Sequence, residues 1–344
     1  MKLKKLTVIL MIITLAAGVL AGCGTKESKD TVSEKANNEK AGNEKAEDKE
    51  EVFRIGVNQL VTHAALDASY KGFVDALAEA GYIDGKNIKI DYQNAQGDQA
   101  TANTIATKLV NDNNDLILAI ATPSAQAMAN ATKDIPILIT AVTDPAGSGL
   151  VASNEAPGGN VSGTSDLTPV KQQIELIKKL VPEAKTIAIL YCSSESNSKI
   201  QAEMANNAAK EIGLTAQEAT VSNTNDIQQV VQSLVGKVDV IYAPTDNTIA
   251  SGMATVAMVA NQNGIPVICG EEGMVDEGGL ATYGIDYYKL GRLTGAQAVK
   301  LIKGEATTDK MPIEYLPDEE YTLKINEEAA AQLGITIPAE LQAE

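Results

Sequence analysis

Tryptophan is absent from the 344 residues, phenylalanine occurs only as Phe53 and Phe73, and His63 is the single histidine. Cysteine is limited to Cys23, Cys192 and Cys269, and arginine to Arg54 and Arg292. Each scarcity excludes something. One histidine, in a loop with no cysteine or acid cluster beside it, gives neither a Ser-His-Asp arrangement nor a histidine metal site enough material. His63 is therefore read as a structural or hinge residue. The chain has no G-x-S-x-G elbow and no G-x-x-x-x-G-K-[ST] loop, and Asn58-Gln59-Leu60 stands where a dinucleotide fingerprint would follow the first strand. The expectation is a protein that is not an enzyme and carries no cofactor and no metal. Basic residues are also few: 28 Lys and Arg against 45 Asp and Glu leave a net charge of −17. Such a surface argues against nucleic acid, whose binding needs clustered Lys and Arg.

What is present begins with Lys2, Lys4 and Lys5, then the apolar "LTVILMIITLAAGVL", then "AGCG". A basic start, a short apolar core and small residues at a cleavage region read as a secretory signal over 1–22. The apolar stretch is shorter than the roughly 20 residues a membrane span needs. Leu20-Ala21-Gly22-Cys23 resembles the lipobox of bacterial lipoproteins, which implies that Cys23 becomes the acylated first residue. Loss of the leader with its three lysines takes the net charge to −20. Residues 23–51, "TKESKDTVSEKANNEKAGNEKAEDKEE" after the first two, are nearly free of apolar side chains and read as a flexible, lipid-anchored tether. The expected location is extracytoplasmic, on the membrane of a Gram-positive-type cell.

From Val52 onward, short β-branched runs alternate with amphipathic stretches. "FRIGV" (53–57), a helical pattern 66–80, "NIKIDYQ" (87–93), a helix from Asp98 to Val110, "DLILAIA" (115–121), a helix at Pro123 and "IPILITAV" (135–142) form one series. A second follows: "KTIAILY" (185–191), helix 198–212, "LTAQEAT" (214–220), helix 226–235, "VDVIYA" (238–243), helix 247–263 and "IPVIC" (265–269). "LAIATPSAQAMA" with "DIPILIT" parallels "VIYAPTDNTIAS" with "GIPVICG", so a Thr/Pro turn follows the third strand of each series and Ile-Pro opens the fourth. Strand–helix alternation implies right-handed βαβ units and parallel sheets covered on both faces. The fold class is α/β, two Rossmann-like lobes around a hinged cleft. "GNVSGTSD" (159–166) is read as joining the lobes, and "LATYGIDYYKLG" (280–291) as a second crossing. The expected division is 52–164 plus about 286–310 for the first lobe, 165–285 for the second, and 311–344 packing across the hinge.

In open α/β sheets ligands sit at the carboxyl ends of the strands, near the reversal of strand order. Polar residues concentrate there: Asn58-Gln59, Thr122-Pro123-Ser124 and Thr143-Asp144 in the first series, Asn197, Asp246-Asn247 and Glu271 in the second, with Asp166 and Asp286 at the crossings. The helix start at Thr122–Ala125 offers free backbone N–H groups and hydroxyls to an anion. Cys192 and Cys269 end strands one and four of the second series with strand three between them, ~9–10 Å apart against a ~7 Å limit for a bridge. Free thiols near the cleft rim are expected.

A lipobox, a charged tether and two such lobes resemble a substrate-binding lipoprotein of an ABC importer. The phrases "RIGVNQLVTHAALDASYKGFVDALAEAGY", "ILITAVTDPAGSGLV", "GGNVSGTSDLTPVKQQIELIKKLVPEAKTIAILY" and "YGIDYYKLGRLTGAQAVKLIKGE" are similar to the family associated with tryptophan/tyrosine transport. One departure is His63-Ala64-Ala65-Leu66-Asp67, where that family has His-Pro-Ala-Leu-Asp. The resemblance implies a periplasmic-binding-protein fold closing over a small amino acid, an ABC permease with its ATPase as partners, and a monomer. An amino acid then assigns the candidates: Thr122, Ser124 and Ala125 to the carboxylate, and Asp246 to the ammonium, its rival role being a helix cap. Asp144, Asp166, Glu271 and Asp286 are further acids. Gln59, Thr143, Asn197 and Asn247 are neutral hydrogen-bonding groups, and Tyr191, Tyr283 or Tyr287 could stack on a ring. Alternatives left open are a ligand sensor of the same fold, and a receptor for another small metabolite such as a sugar.

Overall fold

A computed structural model describes residues 52–342; the leader, Cys23 and the tether through Glu51 lie outside the described residues. The chain runs β1 (Phe53–Gln59), α1 (Ala64–Glu79), β2 (Ile88–Asn94), α2 (Gln99–Asn111), β3 (Leu116–Ile120), α3 (Thr122–Ala131), β4 (Ile137–Val142) and β5 (Val161–Ser165). These strands form one parallel sheet in the order β2-β1-β3-β4-β5. β3 and β4 are buried along their whole length, so their uninterrupted apolar runs reflect helices on both faces. α2 starts where Asp98 accepts the Thr101 N–H at 2.6 Å. α3 has no side-chain cap; it starts from Ala121 at φ 78° with Pro123 in its first turn, a position where a missing N–H costs nothing.

The second sheet is built from α4 (Val170–Leu180), β6 (Thr186–Cys192), α5 (Ser196–Glu211), β7 (Thr215–Val221), α6 (Ile227–Leu234), β8 (Val240–Ala243), α7 (Asn247–Ser251), α8 (Met253–Gln262), β9 (Val267–Cys269), α9 (Glu272–Asp276) and β10 (Ala281–Gly284). α10 (Tyr287–Ile302), β11 (Thr322–Ile325) and α11 (Glu327–Leu333) complete the described chain. The strand order is β11-β10-β9-β8-β6-β7, parallel except for β11. In both sheets the order reverses next to the first strand, so each lobe has its switch point between its first and third strands.

Three local expectations need correction. Residues 161–165 are not a linker but the edge strand β5, held by pairing with β4, and the crossing follows Ser165. The helix over 247–263 is broken at Gly252, whose backbone leaves the helical region at φ −113°. α4, with its apolar stripe Val170, Ile174, Ile177 and Leu180 facing the second core, lies where no element was expected.

The chain passes between the lobes three times: after Ser165, at Ile285–Asp286, and in the stretch between Leu316 and β11. The last pass is anchored at both ends. The Glu314 N–H donates to the Gly163 carbonyl, and the Glu314 carbonyl accepts from Ser165, both at 2.9 Å. β11 then pairs antiparallel with β10. α10 returns to the first lobe and packs backbone to backbone on α1, where a Cβ on Gly291 would lie 1.9 Å from the Ser69 carbonyl oxygen. Cys192 and Cys269 are free, as expected, with β8 between their strands. They are not at the rim: both are fully buried in the core of the second lobe.

Candidate functional site

The two switch points face each other, and the strand ends there enclose a small cavity. Its walls take Thr143 and Ala141 from the end of β4, Asp166 from the first crossing, Asn197 from the start of α5, Thr245, Asp246 and Asn247 from the end of β8, and Glu271 before α9. His63, Leu66, Ala250 and Tyr287 close it. Ala141 is held at φ 54° and Ala121, at the end of β3, at φ 78°. Left-handed backbone at two β-carbon residues costs on the order of 1–3 kcal/mol each, and such strain gathers at binding sites.

The lobes touch directly around this cavity. His63 Nε2 lies 3.4 Å from Asn247 Oδ1, Gln126 Nε2 donates to Ser196 Oγ at 3.2 Å, and Gln201 Nε2 donates to Thr143 Oγ1 at 3.3 Å. The free volume is about 10 Å³, so a solute larger than water enters only when the lobes part. A wider groove of about 300 Å³ continues outward between the lobes. Leu60, Val61 and Pro123 wall it on one side and Ser194, Asn223 and Thr248 on the other.

The electrostatics are one-sided. Asp166, Asp246 and Glu271 are 4%, 1% and 3% exposed, and no Lys or Arg lines the cavity. Burial raises the Asp246 carboxyl to about 8, the neighbouring Glu195 carboxylate adding to the rise. Burial raises Glu271 to about 7 even though it accepts two backbone N–H groups. Asp166 is raised by burial against the opposing pull of the Tyr287 and Thr143 hydroxyls. His63 is lowered by burial, which outweighs its bond to Asn247 and the nearby acids.

The cavity gathers Thr143, Asp166, Asn197, Asp246, Asn247 and Glu271 of the sequence candidates. Within it, Asp246 is already committed: Oδ2 accepts the Cys192 N–H at 2.6 Å and Oδ1 caps α7 through the Ile249 N–H at 2.7 Å. The rival reading of Asp246 as a cap describes Oδ1, while Oδ2 ties α7 to the end of β6. Glu271 likewise caps α9 with both oxygens. The remaining candidates do not line the cavity. Asp286 is exposed and caps α10, and half-buried Asp144 accepts the Gly147 N–H at 2.9 Å in its own turn. Gln59 is buried, its Nε2 donating to the Val61 carbonyl and to Asp67. At the start of α3, Ser124 Oγ donates to Asn58 Oδ1, Thr122 Oγ1 is buried without a partner, and Ala125 spends its N–H on the Ala121 carbonyl.

Tyr287 reaches the cavity, donating its hydroxyl to Asp166 Oδ2 at 2.7 Å. Tyr191 and Tyr283 pack with the second lobe's core instead. Sequence reasoning assigns Glu195 no role and keeps His63 out of the site. Glu195 accepts from the Asn247 and Thr248 backbones and from both their side chains, locking α7 to α5. Neither residue carries a local signal, since each acts through a partner more than fifty positions away.

Residues 54–344 match the model of the ABC transporter substrate binding protein family. The chain belongs to that family. This substrate-binding protein is 46% identical, over 97% of its length and 93% of the relative's, to the tyrosine-binding protein of Clostridioides difficile strain R20291. Its structure is similar to an ABC domain from Streptococcus pneumonia in complex with L-Trp, with TM-score 0.82 and 44% identity over 86% of this chain and 98% of the other. It is also similar to the ligand-free, open structure of a substrate-binding protein with adhesive properties from Clostridium difficile, at 49% identity over 84% and 97% of the chains but a TM-score of 0.64. At nearly equal identity the superposition is better on the L-Trp complex than on the open structure. The periplasmic-binding-protein architecture expected from the sequence is thus the observed one. The protein is a substrate-binding component of an ABC transporter, a non-enzymatic role exercised outside the cytoplasm.

Proposed function

We propose that this protein captures an aromatic amino acid, tyrosine or tryptophan first, and delivers it to an ABC permease. The observation that carries the reading is the cavity itself: three buried carboxyls and no Lys or Arg, in a chain 46% identical to a tyrosine-binding protein. Such a lining favours a solute that brings its own positive charge, because burying acids is costly and Asp166 keeps one oxygen unpaired. The apolar wall of Leu60, Val61 and Pro123 in the outer groove suits a ring. Pro123 at the start of α3 lines the same groove, so that helix end is the part of the first lobe offered to the carboxylate.

The rest of the proposal concerns address and partners. Cys23 carries the lipid after removal of 1–22, residues 23–51 tether the lobes as a monomer near the membrane, and a permease with its ATPase receives the closed form. Among the described residues no helix is long and apolar enough to cross a membrane. Native mass spectrometry of the purified chain, followed by calorimetric titration with the twenty amino acids, tests the cargo. A bound mass of tyrosine or tryptophan with micromolar binding is expected; no heat from any amino acid would refute it. Cys23→Ser should abolish incorporation of labelled palmitate and release the protein into the medium.

A further inference from the structure

The lining of the cavity contains three polar atoms that are buried without a hydrogen-bond partner: Asp166 Oδ1, Asn197 Oδ1 and His63 Nδ1. Their neighbours fix what each can do. Asp166 gives its other oxygen to the Tyr287 hydroxyl, so Oδ1 is a charged or strongly polar acceptor left over. Asn197 points its amide nitrogen at acceptors, the Thr245 carbonyl at 3.0 Å and Glu195 Oε2 at 3.3 Å, so its oxygen faces away from them. Asn247 donates its own amide nitrogen to Glu195 Oε2 at 2.6 Å, which leaves Asn247 Oδ1 as the acceptor facing His63 Nε2. His63 Nε2 therefore carries the proton, and on a neutral ring Nδ1 is an acceptor. Burial keeps that ring neutral by lowering its proton affinity.

Three orphan acceptors on one cavity are unusual, because buried polar groups are nearly always paired, and both oxygens of Asp246, Glu271 and Glu195 are already bonded. Acceptors number three, and so do the N–H bonds of a primary ammonium. We infer that Asp166 Oδ1, Asn197 Oδ1 and His63 Nδ1 together form a recognition site for a primary ammonium group. Asp166 supplies the charge, while His63 and Asn197 come from opposite lobes, so the site is complete only when the cleft is closed. Selectivity then rests on N–H count as well as on charge. This inference rests on the amino acid reading and adds which residues recognise the amine.

The test is calorimetric titration of the full chain at pH 7.5 with L-tyrosine, L-tryptophan and L-phenylalanine, then with two analogues of whichever binds best. One analogue replaces the ammonium by hydroxyl; the other is the N,N,N-trimethyl form, which keeps the charge and loses every N–H. Both should bind at least about 100-fold more weakly, since each forfeits charge-assisted hydrogen bonds in a dry site. Asp166→Asn should weaken the natural ligand by about 100-fold or more, and His63→Leu by at least about tenfold, while His63→Gln, which keeps an acceptor, loses less. Trimethyl binding within tenfold of the parent would overturn the inference and leave the amino acid reading standing. Silence from all three amino acids would overturn both. The analogue series needs no variant, so a misfolded Asp166→Asn cannot hide the answer.

Discussion

Replacing Gly291 by alanine sets two effects of opposite sign against each other. Inside a helix, alanine is favoured over glycine by about 1 kcal/mol, so local propensity alone says that the substitution stabilises α10. Packing says otherwise. The new Cβ would sit 1.9 Å from the Ser69 carbonyl oxygen and 2.7 Å from its carbonyl carbon, both backbone atoms of α1. An ordinary carbon–oxygen contact is about 3.3 Å, so the helices must separate by more than an ångström. They cannot do so freely, because a Cβ-sized gap is also missing at Gly72, where the Tyr288 carbonyl oxygen is 2.1 Å from the ideal Cβ position. Overpacking of this kind costs about 1–3 kcal/mol, and more where only backbone can yield. A net loss of about 2 kcal/mol is expected, a fall in Tm of about 4–8 °C. Scanning calorimetry on the ligand-free chain measures it, with Gly159→Ala, which meets nothing within 4 Å, as the neutral control. A Gly291→Ala protein as stable as the parent, or more so, would show that the close helix contact does not exist.

Other consequences are simpler to state. Asp246, Glu271 and Asp166 hold their protons more tightly folded than unfolded, so the stability they confer is complete below the ordinary carboxylate range and declines as pH climbs toward about 7 and about 8. The Tm of the ligand-free chain should therefore fall between pH 5 and pH 8; a rise across that window would refute the burial argument. Asp98→Ala removes the cap of α2 and should cost about 1 kcal/mol in urea denaturation, whereas Asp98→Asn should cost much less. A thiol reagent should leave Cys192 and Cys269 unmodified in the native protein and label both after unfolding in guanidinium; rapid native labelling of either would place it at the surface, against its complete burial.

Period and punctuation carried most of the architecture. Uninterrupted runs such as "LILAI" and "ILITAV", short and bounded by turn residues, read as strands covered on both faces, and the repeated Thr/Pro and Ile-Pro marks point to two lobes. The strand ends also narrowed the search for a site, because a parallel sheet delivers polar residues to its carboxyl edge whatever the lobes do afterwards. α4 has an apolar stripe at helical spacing, but no strand-end signal sets it apart, and "VSGTS" reads as linker because it is small and polar. Strand pairing with β4, not propensity, makes it a strand.

What remained undecided by sequence was which strand-end residues face one another and which oxygens are already spent. Asp246 and Asp166 look alike in the chain, two acids beside apolar strands. The fold gives both oxygens of Asp246 to the N–H groups of Cys192 and Ile249, and leaves one oxygen of Asp166 with none. His63 looks like a lone loop residue until closure brings Asn247, 184 positions away, to its ring. Backbone hydrogen-bonding and periodicity are local, so the sequence by itself determined the elements and their order. Burial and the pairing of polar atoms across a cleft are collective, so only the tertiary structure decided which side chains were left free to bind.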